Sequence, residues 1–313
     1  MTRCYLGIDT SCYTTSVAIF SEAGHLVAEA RKLLTVKAGG RGLAQSEMVF
    51  QHSRNLPPLL EQALTSIQDE RVLAAIGVSA YPRPLPDSYM PAFLVGEGYA
   101  KALACMQNSR LYRISHQENH ILAGIWSAGG PAGNNFLAVH VSGGTTEIVR
   151  VSKTSPMSLE RLGGSSDLHA GQFIDRVGVA MRLPFPAGPH LEKLAAQGHD
   201  NPLLLPVAAR GLQISFSGPE SHVMRLLPKN PDFAALAAGV EICVAEALYK
   251  MIREAIGQTG LEEVLMVGGV MSNSFIRQYV SKKLTAERAK LYFPQREFSS
   301  DNAVGAAYFA SIQ

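Results

Sequence analysis

The 313 residues are 47% hydrophobic and 17% charged, with a formal charge of +2, which excludes disordered, fibrous and collagen-like chains and leaves room for two domains with apolar cores. No run approaches the roughly twenty apolar residues of a membrane helix. A nearly neutral balance neither demands nor excludes nucleic acid, because a local basic stripe is enough to hold phosphates.

The start, MTRCYLGIDTSC, enters a strand without a signal-peptide pattern, so a cytoplasmic protein is expected. Cys4, Cys12, Cys105 and Cys243 show no paired metal spacing, and for Cys12 small core packing is expected ahead of the other reading, a reactive thiol. Residues 6–20, LGIDTSCYTTSVAIF, form an apolar strand, a knot of small hydroxyl residues and a second strand. This predicts a hairpin whose tip exposes backbone N–H groups. A third strand is expected over 26–32, and a helix over 51–66 with an apolar face at Leu56, Leu59, Leu60 and Leu64. A buried strand at 72–79 then runs into a proline-rich turn or lid-like loop at 82–91, and a helix is expected over 93–108.

His116 and His120 follow in ISHQENHILAG, four apart and therefore on one helical face. Ser115 and Glu118 form an S-x-x-E capping box, which sets the helix start and favours neutral imidazoles there. The spacing leaves two readings open: a shared metal ion completed by a carboxylate, with Asp301 the candidate, or two unconnected histidines at a helix start. A protease helix is disfavoured, because Glu118 lies two residues beyond the first histidine, about 200° around the helix from the histidine face.

SAGGPAGNN at 127–135 reads as a linker. Immediately after it, residues 137–151, LAVHVSGGTTEIVRV, repeat the strand–tip–strand pattern, with Leu6/Leu137, Ser11/Ser142, Thr14/Thr145 and Thr15/Thr146 in register. The duplication suggests two related lobes offering hydroxyls and amides to a phosphate chain, and Gly143-Gly144 allows close approach of a ligand. Further on, helices are expected over 173–181 and 233–256, a strand over 264–267 and a closing helix over 303–312, so the layers are α/β. Asp175 could accept hydrogen bonds from a ribose or be a solvated carboxylate. Gly188 could let the chain pass near a ligand or serve a tight turn. In MVGGVMSNSFIR a glycine turn opens a helix, which would let Asn273 and the turn amides meet a nucleoside. Arg277, Lys282, Lys283, Arg288, Lys290 and Arg296 form a basic stretch, either a phosphate patch or a solvated face.

In this order, GIDTSCYTTSVAIF, ISHQENH, VSGGTTEI, HAGQFIDRVG with PFPAGPHLEKLA, ISFSGPESHV, VGGVMSNSFIR and FSSDNAVGAAYFA resemble the TsaD family of tRNA-modifying proteins, once described as O-sialoglycoprotein endopeptidases, over essentially the whole chain. The resemblance implies the actin/sugar-kinase/heat-shock type fold, two duplicated ribonuclease-H-like lobes with a nucleotide cleft between. The first lobe would be 1–115 with 301–313 packing back, the metal helix and linker 116–135, and the second lobe 136–300. It implies iron or zinc on His116, His120 and Asp301. Nucleotide contacts, to ATP, AMP or an acyl-adenylate, would fall on Val141, Ser142, Gly143, Gly144, Thr145, Asp175, Gly188 and Asn273. The implied reaction moves a threonylcarbamoyl group from its adenylate to N6 of a tRNA adenosine. The implied partners are tRNA and TsaB- or TsaE-like proteins, or a second copy, with no membrane.

The chain departs from the family pattern at Tyr13 and Thr14, where acidic residues are usual, and at Thr145, Leu168, Gln172 and Glu220, the last a charge reversal. These departures suggest a divergent paralogue. They set a transferase reading against that of an impaired scaffold partnering a TsaD-like enzyme. A kinase of the same fold would need a catalytic aspartate, for which Asp9 is the candidate.

Overall fold

A computed structural model describes residues 2–36, 43–65, 67, 71–154 and 157–313. Ser66, the expected end of the first helix, lies outside the described residues. Packing divides the chain into one unit of Met1–Ala128 with Glu297–Gln313 and another of Gly129–Arg296.

The first unit begins with β1 (Thr2–Asp9), β2 (Thr14–Ser21) and β3 (Leu26–Leu33), an antiparallel meander whose first turn is the predicted hairpin tip. Helix α1 (Gln45–Thr65) and β4 (Arg71–Tyr81) follow, then α2 (Phe93–Gln107), β5 (Arg110–Ser115) and α3 (His116–Ala128). The sheet order is β3-β2-β1-β4-β5, with β4 parallel to both β1 and β5. Alternation along the strands sends Leu6, Ile8, Val17 and Ile19 toward Leu56, Leu59 and Leu60 of α1. Ala18 and Phe20 point to the other face, against Ala123 and the helix Val304–Ser311. Helix α1 starts at Gln45 rather than 51, because Met48 is buried ahead of the expected start. Leu64, expected on its apolar face, is exposed. Gly7 and Gly77 pair in register on the face under Val304–Ser311; a Cβ at Gly7 would strike Ala303 and Ala307, and one at Gly77 would strike Ala306. Backbone-to-backbone approach here needs glycine.

The second unit repeats the plan. It comprises β6 (Asn135–Val141), β7 (Thr146–Ser152), β8 (Ser158–Ser165), α4 (Ala170–Ala180), α5 (Gly188–Ala195), β9 (Ala208–Arg210), β10 (Gln213–Ser215), α6 (Ser217–Leu226), α7 (Phe233–Thr259), β11 (Glu263–Val267), α8 (Ser274–Thr285) and β12 (Lys290–Tyr292). Its sheet, β12-β11-β6-β7-β8-β10-β9, contains the same five-strand order as the first, a meander continued by two parallel strands. Helix α7 is apolar nearly all round because it is the buried spine of this unit. Val304–Ser311, now α9, returns to the first unit, as does α3, which was expected within a connecting segment. No helix among the described residues is long and apolar enough to cross a membrane.

Candidate functional site

Ser115 caps α3 as predicted. Glu118 Oε2 accepts from the Ser115 amide at 2.7 Å and hydroxyl at 2.6 Å, while the Glu118 amide donates to Ser115 Oγ at 3.1 Å. The box holds the first turn so that the rings of His116 and His120, both buried, lie edge to face. Their Nε2 atoms are 3.1 Å apart, and Asp301 Oδ1 is 3.5 Å from that of His116 and 3.3 Å from that of His120. Asp301 is brought there by the segment preceding α9, which Asn302 ties down through its amide to the Phe298 and Ser300 carbonyls.

Three donor atoms at such mutual distances are what one small cation needs. Bonds of about 2.0–2.2 Å in tetrahedral array place ligands roughly 3.4 Å from one another. Zinc or ferrous iron suits an imidazole–imidazole–carboxylate set.

Asp9 completes the arrangement from behind. Its carboxylate is wholly buried, with Oδ2 accepting from His116 Nδ1 at 3.2 Å and Asn119 Nδ2 at 3.0 Å, and Oδ1 from the Ser11 amide at 2.9 Å. A proton fixed on Nδ1 leaves the His116 Nε2 lone pair facing the triangle, the outer-shell pattern of metal-binding histidines. With its oxygens so engaged, Asp9 is a structural carboxylate rather than the free base a kinase would require. The sequence held no local sign of this role, which depends on the end of β1 meeting the first turn of α3.

The helix start was expected to keep both imidazoles neutral, and the surroundings overrule that for one of them. Burial opposes charge on His116, yet the Asp9 carboxylate and hydrogen bonds to Asp301 and Asp9 raise it well above the usual histidine range. Burial and the neighbouring His116 lower His120. Against its own burial, the two histidines hold Asp301 well below the usual carboxylate range. The triangle thus favours one added positive charge.

Cys12 is not core packing. It is partly exposed on the β1–β2 tip, and its thiol lies with donor atoms of His116 and Asp301, all within 4.8 Å of one another. Ser11 Oγ stands 3.4 Å from His116 Nε2. Burial raises the Cys12 thiol, while the hydrogen bond to His116 works the other way.

In the second unit, the β6–β7 tip is closed by the Ser142 amide donating to the Thr145 carbonyl at 2.7 Å. The Ser142 carbonyl accepts from the Gly171 amide, and Thr146 Oγ1 from the Ala170 amide at 2.8 Å, so the tip is pinned to the start of α4. Val141 is buried beneath it. Gly143 and Gly144 are exposed, have no left-handed φ, and a Cβ on either would meet nothing within 4 Å. Nothing within this unit requires glycine at either position.

Asp175 and Asn273 are not displayed as expected. Asp175 Oδ1 accepts from the Ala187 amide at 2.7 Å, capping the turn that leads to Gly188 and α5. Asn273 caps α8, its Oδ1 accepting from the Ile276 amide at 2.9 Å while its Nδ2 donates to Glu241 Oε1 at 2.5 Å. Glu241 is fully buried, and its Oε2 lies 2.9 Å from His199 Nε2. The side chains of Asp175 and Asn273 are thus engaged in fixing local backbone. The basic stretch is partly neutralised, Lys283 by Glu246 and Lys290 by Glu263.

The family model described as tRNA N6-adenosine threonylcarbamoyltransferase matches residues 32–308. The chain belongs to this TsaD family. A protein of that name from Aromatoleum aromaticum is 31% identical over 98% of this chain and 90% of its own, and one from Polaromonas sp. is 32% identical with the same coverage. The family is one of transferases acting in tRNA modification. Among solved structures, component A of the Acidaminococcus fermentans (R)-2-hydroxyglutaryl-CoA dehydratase superposes with a TM-score of 0.58 at 15% identity, covering 99% of this chain and 98% of that one. The fold is of the actin, sugar-kinase and heat-shock type.

The family departures have local roles here. Glu220 pairs with Arg176 at 3.3 Å, Gln172 accepts the His169 amide in a capping box, and Leu168 fills the core. Tyr13 packs on Leu34, Met48 and Ala92, and Thr14 is buried.

Proposed function

We propose that this chain transfers a threonylcarbamoyl, or closely related carbamoyl, group from its adenylate to N6 of a tRNA adenosine, with one zinc or ferrous ion on His116, His120 and Asp301. The observation carrying this reading is the 3.1–3.5 Å triangle of Nε2, Nε2 and Oδ1. When bound, the ion would supply Lewis-acid stabilisation of negative charge at the acyl centre. His116 and His120 present their Nε2 lone pairs, Asp9 keeps the Nδ1 proton of His116 in place, and Asp301 offsets the cation's charge. The Ser142 and Thr145 side chains and the open backbone at Gly143 and Gly144 would meet the phosphate, a contact that bare glycine allows and a Cβ would obstruct. Asp175, through Gly188, and Asn273, through the α8 cap, position the backbone for the nucleoside. The amine of adenosine forms the new C–N bond, the acyl–phosphate C–O bond breaks, AMP leaves with the bond electrons, and the amine's surplus proton passes to solvent. TsaB- and TsaE-like proteins, or a second copy, are the proposed partners, and the cytoplasm the proposed compartment.

The test supplies synthetic threonylcarbamoyl-adenylate and tRNA to the protein, alone and with TsaB- and TsaE-like partners, and follows AMP and modified nucleoside by mass spectrometry. Product formed by the wild type and lost in Asp301→Ala supports the reading. No product under any combination, together with a stable complex with a TsaD-like enzyme, selects an assembly role instead.

A further inference from the structure

A second histidine stands behind the β1–β2 tip. His52 of α1 is wholly buried, with Nδ1 2.8 Å from Thr15 Oγ1 and Nε2 3.2 Å from the Cys12 carbonyl oxygen. One helical position group further on, Asn55 Nδ2 donates to Thr15 Oγ1 at 3.4 Å. The chemistry of these partners fixes every proton. A carbonyl oxygen only accepts, so Nε2 carries the ring hydrogen. The neutral imidazole then has its lone pair on Nδ1, and the Thr15 hydroxyl must donate to it while accepting from Asn55. The result is a one-way relay from Asn55 through Thr15 and His52 to the backbone of Cys12. Burial, which lowers the pKa of His52 against the pull of Asp9, keeps this neutral form.

We infer that His52 is a positioning residue for the metal-holding constellation: from α1 it clamps the hairpin tip so that the Cys12 thiol and Ser11 hydroxyl stay beside His116 and Asp301. The inference rests on the metal reading above. Three successive residues of the tip are each held by a separate bond: the Ser11 amide by Asp9, the Cys12 carbonyl by His52, and the Tyr13 carbonyl by the Leu34 amide at 2.7 Å. The His52 bond is the one fastened to the residue that brings the thiol into the site. Losing it leaves the triangle of His116, His120 and Asp301 whole but frees the tip, so binding should weaken without being abolished. Outer-shell partners of metal ligands commonly carry about ten- to a hundredfold in affinity.

Two readouts on the full chain test this, using zinc as the probe. His52→Leu fills the volume without the bond, Thr15→Val removes the relay with little change of shape, and His52→Gln keeps an amide that can donate to the Cys12 carbonyl. In metal-free protein, the rate of Cys12 alkylation by iodoacetamide is followed on its own peptide by mass spectrometry. The zinc dissociation constant is then taken by chelator competition. The expected result is alkylation about fivefold faster and zinc held about tenfold more weakly in His52→Leu and Thr15→Val, with His52→Gln close to wild type in both. Wild-type alkylation and affinity in Thr15→Val and His52→Leu would overturn the inference, as would equal loss in all three variants. Should wild type bind no zinc, the metal reading fails, while the alkylation rates still decide whether His52 clamps the tip.

Discussion

The Nε2 atoms of His116 and His120 stand 3.1 Å apart. Two lone pairs cannot face each other at that distance unless a proton or a cation lies between them, and Asp301 on the third corner makes the demand for positive charge explicit. Elemental analysis of anaerobically purified protein should therefore find about one zinc or iron per chain, falling by at least about tenfold in His120→Ala and in Asp301→Ala. Because burial opposed by Asp9 and Asp301 leaves His116 raised, protons compete for the same place above the usual histidine range, and the metal should be lost progressively as pH falls. Retention of metal in both variants would dismiss the triangle.

Asp9→Asn separates orientation from ligation. The amide is nearly the shape of the carboxylate but cannot serve as an acceptor for all three of the Ser11, His116 and Asn119 donors. Metal affinity should fall about ten- to a hundredfold, less than the loss on removing a ligand, in a chain whose circular dichroism is unchanged. An unaltered dissociation constant would mean the His116 tautomer is set by something else.

Gly143→Ala and Gly144→Ala make opposite demands on fold and ligand. Nothing lies within 4 Å of either new methyl and neither φ is left-handed, so stability should hold or rise by up to about 1 kcal/mol. Affinity for AMP, measured by calorimetry, should nonetheless drop by about tenfold. If affinity also holds, these glycines do not face the phosphate.

Glu241 offers a test by pH. Burial pushes its carboxyl up from 4.5 to about 7, outweighing the hydrogen bond from Asn273. A raised folded-state value means the stabilising contribution is complete below 4.5 and disappears as pH rises through 7. Glu241→Gln keeps an acceptor for Asn273 and a donor toward His199 without the titration, so at pH 8 it should be more stable than wild type by about 2 kcal/mol in urea unfolding, with the gap closing toward pH 5. His199, lowered chiefly by its burial, loses stability in the other direction below about 6.5, and because it touches Glu241 the comparison is decided above that pH. A gap independent of pH would show that Glu241 is ionised throughout.

Much of this architecture is written in short-range pattern. The two hairpins are legible because strand, hydroxyl-glycine tip and strand are contiguous, and the histidine pair because four residues make one helical turn. The Ser115–Glu118 cap is equally local. What escapes is whatever depends on distant elements meeting: Asp9 behind His116, Cys12 entering the site, His52 beneath the tip. Asn273 and Asp175 are harder to place from sequence, because polar residues beside glycine turns look alike whether they face a nucleoside or satisfy local backbone. In the structure both accept from nearby backbone amides. Leu64 obeys the helical period but is exposed, while its neighbour Ala63 takes the buried place on that turn.

The helix that rests on Gly7 and Gly77 is made near the far end of the chain, together with Asp301. During synthesis the strands of the first sheet appear early, but the face covered by both α3 and α9 is not complete until residues 297–313 arrive, whereas 129–296 form an uninterrupted stretch that is whole before then. A metal site of the proposed kind would therefore be completed only when the segment carrying Asp301 joins the first unit. A chain cut short of Asp301 would keep both histidines and lack the carboxylate that stands 3.3–3.5 Å from their Nε2 atoms.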